Sequence, residues 1–160
     1  MQLPPENLDG YEFLLLGEPC KIVLDDGVNI RFDKPNGRIY LPKKNARERL
    51  VKWLKENALR ILTLVTNACA SRMGVQAKSV AISSAKGYWG ICSAENCIRY
   101  TFRLLYAPKE IMEYVAVHEL SHIRHKDHSP RFWQEVARYI PDWKSRRDWL
   151  KYRGALLQIF

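Results

Sequence analysis

The sequence predicts an α+β fold, because strand-like segments and helix-like segments follow one another in separate runs along the chain. Two segments, residues 11–41 and 77–107, contain short apolar, β-branched and aromatic runs that turn-forming residues interrupt. Elsewhere, apolar residues recur at intervals of three and four, the spacing of an amphipathic helix. With 160 residues the chain has the length of one ordinary domain. We therefore expect residues 1–160 to form a single domain with a buried core.

A short N-terminal β region is predicted over residues 11–41. Four runs there are apolar or alternate in polarity: FLLLG, KIVLDDG, NIRF and RIYLP. Gly17 and the sequences DDG and PNG separate these runs as turns. Short strands joined by such turns predict a small antiparallel meander.

A long helix is predicted to follow the meander. Asn45 and Glu48 have the spacing of a capping box, and Gly74 is a typical C-terminal stop. Between them, apolar residues recur at helical spacing, namely Leu50, Leu54, Ala58, Ile61, Val65 and Ala68. The basic residues on the opposite surface are expected to form a solvated face.

A second strand-rich segment precedes a buried helix. The runs SVAISS, YWGIC and CIRYTFRLLYA have the composition of strands. Pro108 and Glu110 suit the first turn of a helix that we expect to reach about Arg124. Its apolar residues lie almost all round, which predicts burial; they are Ile111, Met112, Val115, Ala116, Val117, Leu120 and Ile123.

Two C-terminal helices complete the predicted fold. Ser129 followed by Pro130 combines a preferred N-cap with a preferred first helical residue, so a helix should run from Pro130 to about Tyr139. The sequence PDW at 141–143 then ends it and opens a last helix, which should reach about Tyr152.

All four histidines of the chain lie between positions 118 and 128. His118, Glu119 and His122 form an HExxH pattern on the predicted buried helix. Residues four apart lie one turn apart on the same face, so the two imidazoles can converge on one ion. The glutamate lies toward the neighbouring coordination position, where it can take a proton from water activated by the ion. The pattern predicts a catalytic zinc site.

Catalytic zinc commonly has three protein ligands, so a third one is expected. In a continued helix His125 would share the face of His118, but it would lie roughly 10 Å away along the axis. The helix start at Ser129 requires the chain to reverse first, and that reversal can bring His128 back to the ion. We therefore favour His128, which gives an HExxHxxxxxH pattern. The alternatives are His125 and the carboxylates of Asp127, Glu135 and Asp142.

The C-terminal two thirds of the chain resembles the YgjP-like family of zincin-fold, metal-dependent hydrolases. The resemblance covers about residues 44–153 and rests on WGIC at 89–92, HELSHIRHKDHSPRFW at 118–133, PDW at 141–143 and RRDWL at 146–150. It implies a zincin-like core over residues 44–153, with an antiparallel sheet beside a buried active-site helix. It also implies a metal site formed by His118, His122 and His128, with Glu119 as the catalytic acid/base.

The chain departs from the family's pattern near the hairpin. Tyr88 and Ile91 stand where the family usually has Arg and Ser, and Thr101 stands where an Asn is usual. These positions border the cleft in the family.

Three functions fit these observations. The first is a zinc-dependent hydrolase of the metallopeptidase type, acting on peptides. The second is a nucleoside-triphosphate pyrophosphatase, because a member of the family is assigned that activity on UTP. The third is a non-catalytic, metal-stabilised module that binds nucleic acid or protein, although such a site would have no need of Glu119. Manganese, cobalt or nickel can occupy the same ligands as zinc.

A second electrophile should stabilise the charged intermediate. The candidates near the metal segment are Arg124, His125, Arg131 and Tyr139.

Charge and composition indicate which partners and which cellular location to expect. Lys and Arg number 26 against 17 Asp and Glu, a net charge of +9, which attracts phosphates or nucleic acid, although no nucleic-acid motif is present. The N-terminus lacks a secretory pattern and no apolar run reaches the about 18 residues of a membrane span, so a cytoplasmic protein without a membrane partner is expected. The four cysteines match no zinc ribbon, and reduced thiols are expected.

Overall fold

The computed structural model describes residues 3–160 and confirms the α+β class. The strands are β1 (Glu12–Leu15), β2 (Glu18–Asp25), β3 (Arg31–Asp33), β4 (Arg38–Pro42), β5 (Ser79–Ser83), β6 (Gly90–Cys92) and β7 (Cys97–Thr101). The helices are α1 (Ala46–Met73), α2 (Lys109–Ser121), α3 (Pro130–Tyr139) and α4 (Trp143–Arg153). Two 3₁₀ helices cover Phe102–Tyr106 and Gly154–Leu157.

The N-terminal sheet contains the four predicted strands, but the antiparallel meander is wrong. Its strand order is β1-β2-β4-β3, and β2 pairs with β4 in parallel. This order makes β4 a central strand, so that Ile39 lies beside Ile22 with both side chains fully buried. Burial of two β-branched residues in one inter-strand pair is favourable. The sequence pattern therefore predicts where the strands lie in the chain but not how they pair in the sheet.

Helix α1 follows the prediction closely, except at its start. Gly74 ends it in the left-handed region, with φ of 66°. Asn45 is also left-handed, with φ of 55°, and its side chain makes no capping hydrogen bond, so the predicted capping box is wrong. The buried stripe includes Leu62 and Cys69 and continues to Met73, whereas Ala68 is exposed.

The second sheet has the order β5-β7-β6 and lies beside α2. It is mixed, because β5 and β7 pair in parallel while β6 and β7 pair antiparallel, so the expected purely antiparallel sheet is wrong in this respect. The last predicted strand ends early, at Thr101. The Thr101 hydroxyl accepts a hydrogen bond from the Arg103 amide and starts the buried 3₁₀ helix Phe102–Tyr106.

Helix α2 lies at the centre of the molecule and contacts α1, α3, α4 and β6. One cluster of buried apolar side chains includes residues of both sheets and of all four helices. Helix α2 ends at Ser121, three residues before the predicted end. Helices α3 and α4 begin and end within about one residue of their predicted positions. Among residues 3–160, no helix is both long enough and apolar enough to cross a membrane.

Candidate metal centre

Three histidine side chains converge at the C-terminal end of α2. His118 lies on the last turn of α2 and His122 is its C-cap, while His128 lies in the turn that leads to α3. One ring nitrogen from each lies within 4.8 Å of the other two. The Nε2 atoms of His118 and His128 are 3.4 Å apart. The chain reversal therefore brings His128 back to the two helical histidines.

Hydrogen bonding leaves His122 free to bind through Nε2. Its Nδ1 atom lies 2.9 Å from the backbone carbonyl oxygen of His125, to which it donates as N–H. This contact orients the ring and fixes the tautomer, as second-shell contacts do around bound metals. His125 thus contributes a carbonyl group, and its imidazole is not among the three converging rings.

Aromatic side chains from α3 support the three imidazoles. Phe132 is fully buried and stacks on His122, with ring centroids 4.4 Å apart. Trp133 lies 5.6 Å from His118 and 6.1 Å from His128, centroid to centroid. Behind it, Trp143 stacks on Trp133 at 4.3 Å. Phe132 and Trp133 therefore act chiefly as packing residues, which limits the rotation of the imidazoles.

The protonation states suit a cation. Burial, together with the neighbouring His122 and His128, lowers the pKa of His118 to about 3. Burial also lowers the pKa of His122. Both rings are therefore neutral near pH 7, and neutral imidazole is the form that coordinates a metal. Three converging nitrogen donors with buried support fit zinc or another divalent transition ion.

The alternative carboxylate ligands are engaged elsewhere. Asp127 accepts a hydrogen bond from the Ser129 amide, at 3.1 Å. Glu135 pairs with Arg124, at 2.7 Å. Asp142 pairs with Arg146 on α4, at 3.1 Å.

Glu119 lies beside the three histidines but has a different environment. Its side chain is only 7% exposed, and one carboxylate oxygen lies 3.9 Å from Nε2 of His118. Burial raises the pKa of Glu119 to about 7. A carboxyl group with a pKa near the ambient pH can both accept and return a proton, which suits a general acid/base.

A cavity of about 320 Å³ opens beside His118 and Glu119. Strand β6, the preceding residue and helices α2 and α4 form its walls, which include Trp89, Gly90, Tyr114, Arg147, Leu150 and Lys151. Tyr114 keeps its proton, because burial raises its pKa to about 12. Sequence reasoning did not single out Tyr114, Arg147 or Lys151 as site residues. The signal that could have found Arg147 is the RRDWL segment, which contributed only to the resemblance.

Gly90 allows β6 to approach the site closely. A Cβ atom at this position would lie 3.0 Å from Cγ of Glu119, 3.1 Å from Tyr100 and 3.2 Å from Val115. Any side chain at position 90 would therefore crowd Glu119 and the side chains of Tyr100 and Val115. Trp89 is held in a similar way, because Gly154 leaves room for its ring: a Cβ at 154 would lie 3.0 Å from Trp89.

The structure brings none of the four sequence-proposed electrophiles into this cavity. Arg124 is hydrogen-bonded to Glu135 and Tyr139, which places both Arg124 and Tyr139 in the contact between the end of α2 and α3. Arg131 is exposed in the first turn of α3, and His125 is half-buried in the reversal.

The three departures from the family pattern also lie outside the cavity walls. The Tyr88 hydroxyl is hydrogen-bonded to Ser83, at 3.0 Å. Ile91 is 42% exposed, and Thr101 is buried, where its role is to start the 3₁₀ helix.

A buried helix that carries HExxH, with a third histidine returned by a chain reversal, defines the class of metal-dependent hydrolases. The comparisons with known proteins agree. The family model described as YgjP-like, metallopeptidase domain matches residues 1–153. The chain therefore belongs to the YgjP-like family and is a metal-dependent hydrolase. The match includes the N-terminal sheet, which precedes residues 44–153.

Solved structures support the fold. The metallopeptidase zymogen of Pyrococcus abyssi abylysin is similar with a TM-score of 0.53 and 24% identity, over 62% of this chain and 98% of that chain. The metallopeptidase zymogen of Methanocaldococcus jannaschii jannalysin is similar with a TM-score of 0.51 and 19% identity, over 59% of this chain and 96% of that chain. No curated protein matches the chain.

Proposed function

We propose that this protein is a zinc-dependent metallopeptidase, in which His118, His122 and His128 hold the ion and Glu119 is the general acid/base. One observation carries the proposal: three imidazole nitrogens converge within 4.8 Å beside a buried carboxylate that lines a cavity. A purely structural zinc site would instead be expected to have a fourth protein ligand.

The chain's own residues supply the proton transfers. Zinc in this position would polarise the peptide carbonyl and activate the attacking water. Glu119 accepts the proton of that water and then delivers it to the leaving amine. Its carboxylate oxygen lies 3.9 Å from Nε2 of His118, and this proximity supports both transfers.

Tyr114 is the group that we place against the developing negative charge. It lines the cavity with His118 and Glu119, and its ring centroid lies 6.0 Å from that of His118. Because burial raises its pKa to about 12, its hydroxyl stays protonated and can donate a hydrogen bond. This is the role for which the sequence offered Arg124, His125, Arg131 and Tyr139.

We also propose that the chain forms a single domain and resides in the cytoplasm. The buried cluster that spans both sheets and all four helices supports a single domain over residues 1–160. Four free cysteines within the described chain support a reducing compartment such as the cytoplasm.

The proposed activity is tested by incubating zinc-loaded protein with unstructured peptides, such as those of a casein digest, and in parallel with UTP. Wild type should cleave peptide bonds. Glu119→Gln should keep the zinc and lose at least about 10²-fold in kcat, the lower end of what general acid/base groups contribute. Full turnover by Glu119→Gln would contradict the assignment, and hydrolysis of UTP without peptide cleavage would favour the pyrophosphatase.

A further inference from the structure

The cavity beside Glu119 carries positive charge on the side formed by α4. Two cationic side chains of α4, Arg147 and Lys151, line the cavity one turn apart. Glu119 is the one carboxylate among the described residues that lines it. Apart from Glu119, the charged side chains that line the cavity are therefore both cationic.

Arg147 differs from its neighbour Arg146 in how its charge is used. Arg146 is 19% exposed and is tied to Asp142 and Glu113, at 3.1 and 3.7 Å. Arg147 is 50% exposed, and its ion-pair partner is the similarly exposed Asp148, at 3.7 Å. Its guanidinium carbon lies 5.1 Å from the centroid of the Trp143 ring. An exposed pair of this kind is weak, so the Arg147 guanidinium can exchange Asp148 for a better partner.

Lys151 is the second available cation. Its side chain is exposed, and its ammonium group lies 5.6 Å from the centroid of the Tyr152 ring. Within residues 3–160 no carboxylate forms an ion pair with it. A cation without an acidic partner at the rim of a cavity attracts an anionic ligand group.

The rest of the cavity is apolar. Trp89, Tyr114 and Leu150 provide aromatic and aliphatic walls between the cations and the metal centre. A volume of about 320 Å³ lies at the lower end of the range of about 300–1,000 Å³ for ligand pockets, which suits one amino-acid residue better than a whole nucleoside triphosphate. The matching ligand has a short apolar stem and a negatively charged end.

We propose that this cavity, the carboxylate subsite, binds a substrate residue that carries a carboxylate, with Arg147 and Lys151 as its charge partners. The proposal rests on the proposed peptidase function and specifies its substrate. The carboxylate can come from two sources, a Glu or Asp side chain next to the scissile bond or the free C-terminus of a peptide. Arg147 and Lys151 are specificity-determining residues, and their contribution is to substrate binding.

The test uses zinc-loaded protein and quenched-fluorescence peptides with a common apolar frame. One set has Glu or Gln at each position in turn, and a second set has a C-terminal acid or amide. Wild type should prefer the carboxylate member of a pair by about tenfold in kcat/KM, the effect of a hydrogen bond to a charged group. The set in which the preference occurs identifies the source.

The variants separate local recognition from general charge. Arg147→Gln and Lys151→Gln should each reduce the preference to about threefold or less, mainly through KM. The matched control is Lys144→Gln, because Lys144 is an exposed cation on the same helix that does not line the cavity. It should keep the wild-type preference. Equal kcat/KM for both members of every pair in wild type, or an equal loss in Lys144→Gln, would overturn the proposal.

A binding measurement keeps the two proposals distinguishable. Glu119→Gln is titrated with the Glu and Gln peptides by calorimetry, with and without the additional Arg147→Gln change. Tighter binding of the Glu peptide that depends on Arg147 supports the carboxylate subsite even if wild type cleaves no peptide, in which case only the peptidase function fails. Binding of UTP that depends on Arg147, without any such preference among peptides, overturns the subsite in favour of phosphate recognition.

Discussion

The proposed metal-binding segment, residues 118–128, and the proposed carboxylate subsite lie side by side but are assembled differently. The three histidines come from residues 118–128, one helix end and the turn after it. The walls of the subsite include Trp89, which precedes β6, and Arg147 and Lys151 of α4. Trp89 and Arg147 are more than 50 residues apart in the sequence. A site built within one segment is specified by local structure. A site built from three elements depends on how those elements pack.

The two regions should therefore respond to different changes. Substitutions in the metal-binding segment should act on metal affinity, whereas substitutions in the cavity walls should act on turnover or substrate choice while the metal stays bound.

The largest effect is expected from the loss of a ligand. His122→Ala removes one of the three nitrogens together with the ring that stacks on Phe132. Second-shell changes alone cost about 10–100-fold in metal affinity, so zinc affinity should fall by more than about 100-fold. Competition with a chelating dye measures it. An affinity within about threefold of wild type would mean that His122 is not a ligand.

A smaller effect is expected where β6 meets Glu119, the proposed acid/base. In Gly90→Ala the new methyl group would lie 3.0 Å from Cγ of Glu119, so the carboxylate or the strand must shift. Misplacement of a catalytic group by about 1 Å can cost roughly 10²-fold, and we expect kcat to fall 10- to 100-fold with zinc retained.

Gly87→Ala is the matched control for Gly90→Ala, because nothing lies within 4 Å of a Cβ at position 87. It should keep the activity of wild type. If Gly90→Ala lost its zinc in parallel with its activity, the separation of the two regions would be wrong.

The smallest effect concerns pH and the stability of the metal-free protein. The folded state keeps His118 neutral, with a pKa of about 3 against an ordinary 6.5, so acid favours unfolding as the pH falls below about 6.5. Glu119 acts in the opposite direction, because its pKa of about 7 against an ordinary 4.5 lets the folded state hold an extra proton. Between about pH 5 and 6.5 the two contributions oppose each other.

Glu119→Gln should reveal the histidine contribution. Without the glutamate, the free energy of unfolding should rise more steeply with pH over that window, by on the order of 1 kcal/mol per pH unit. Urea unfolding in the presence of a chelator, at several pH values, measures the slope. Equal slopes for wild type and Glu119→Gln would show that the carboxyl group is not shifted by burial.

The sequence predicted the arrangement of the three histidines better than it predicted the sheets. Local signals were enough to place His128 beside His118 and His122, because Ser129 and Pro130 start a new helix and force the reversal. No local signal shows that β4 pairs with β2 in parallel, because Ile22 and Ile39 meet only through their burial in the same core. The same holds for Arg147, whose position in the cavity depends on how α4 packs on α2.

Local signals also misled in two places. Asn45 and Glu48 match the capping-box spacing, but the chain enters α1 through a left-handed Asn45 with no side-chain cap. The apolar run after Thr101 has a strand's composition, yet the buried Arg103 donates to the carbonyl groups of Ser84 and Ile159, and the chain there is a 3₁₀ helix. In both places tertiary contacts outweigh local propensity.

The central claim is that His128, and not His125, is the third metal ligand. The decisive measurement is the zinc content per chain, after dialysis against a weak chelator, of wild type, His128→Ala and His125→Ala. We predict one zinc in wild type and in His125→Ala, because position 125 contributes its backbone carbonyl to His122. We predict loss of zinc in His128→Ala, whose ring is one of the three that converge. Retention of zinc by His128→Ala with loss from His125→Ala would contradict the account.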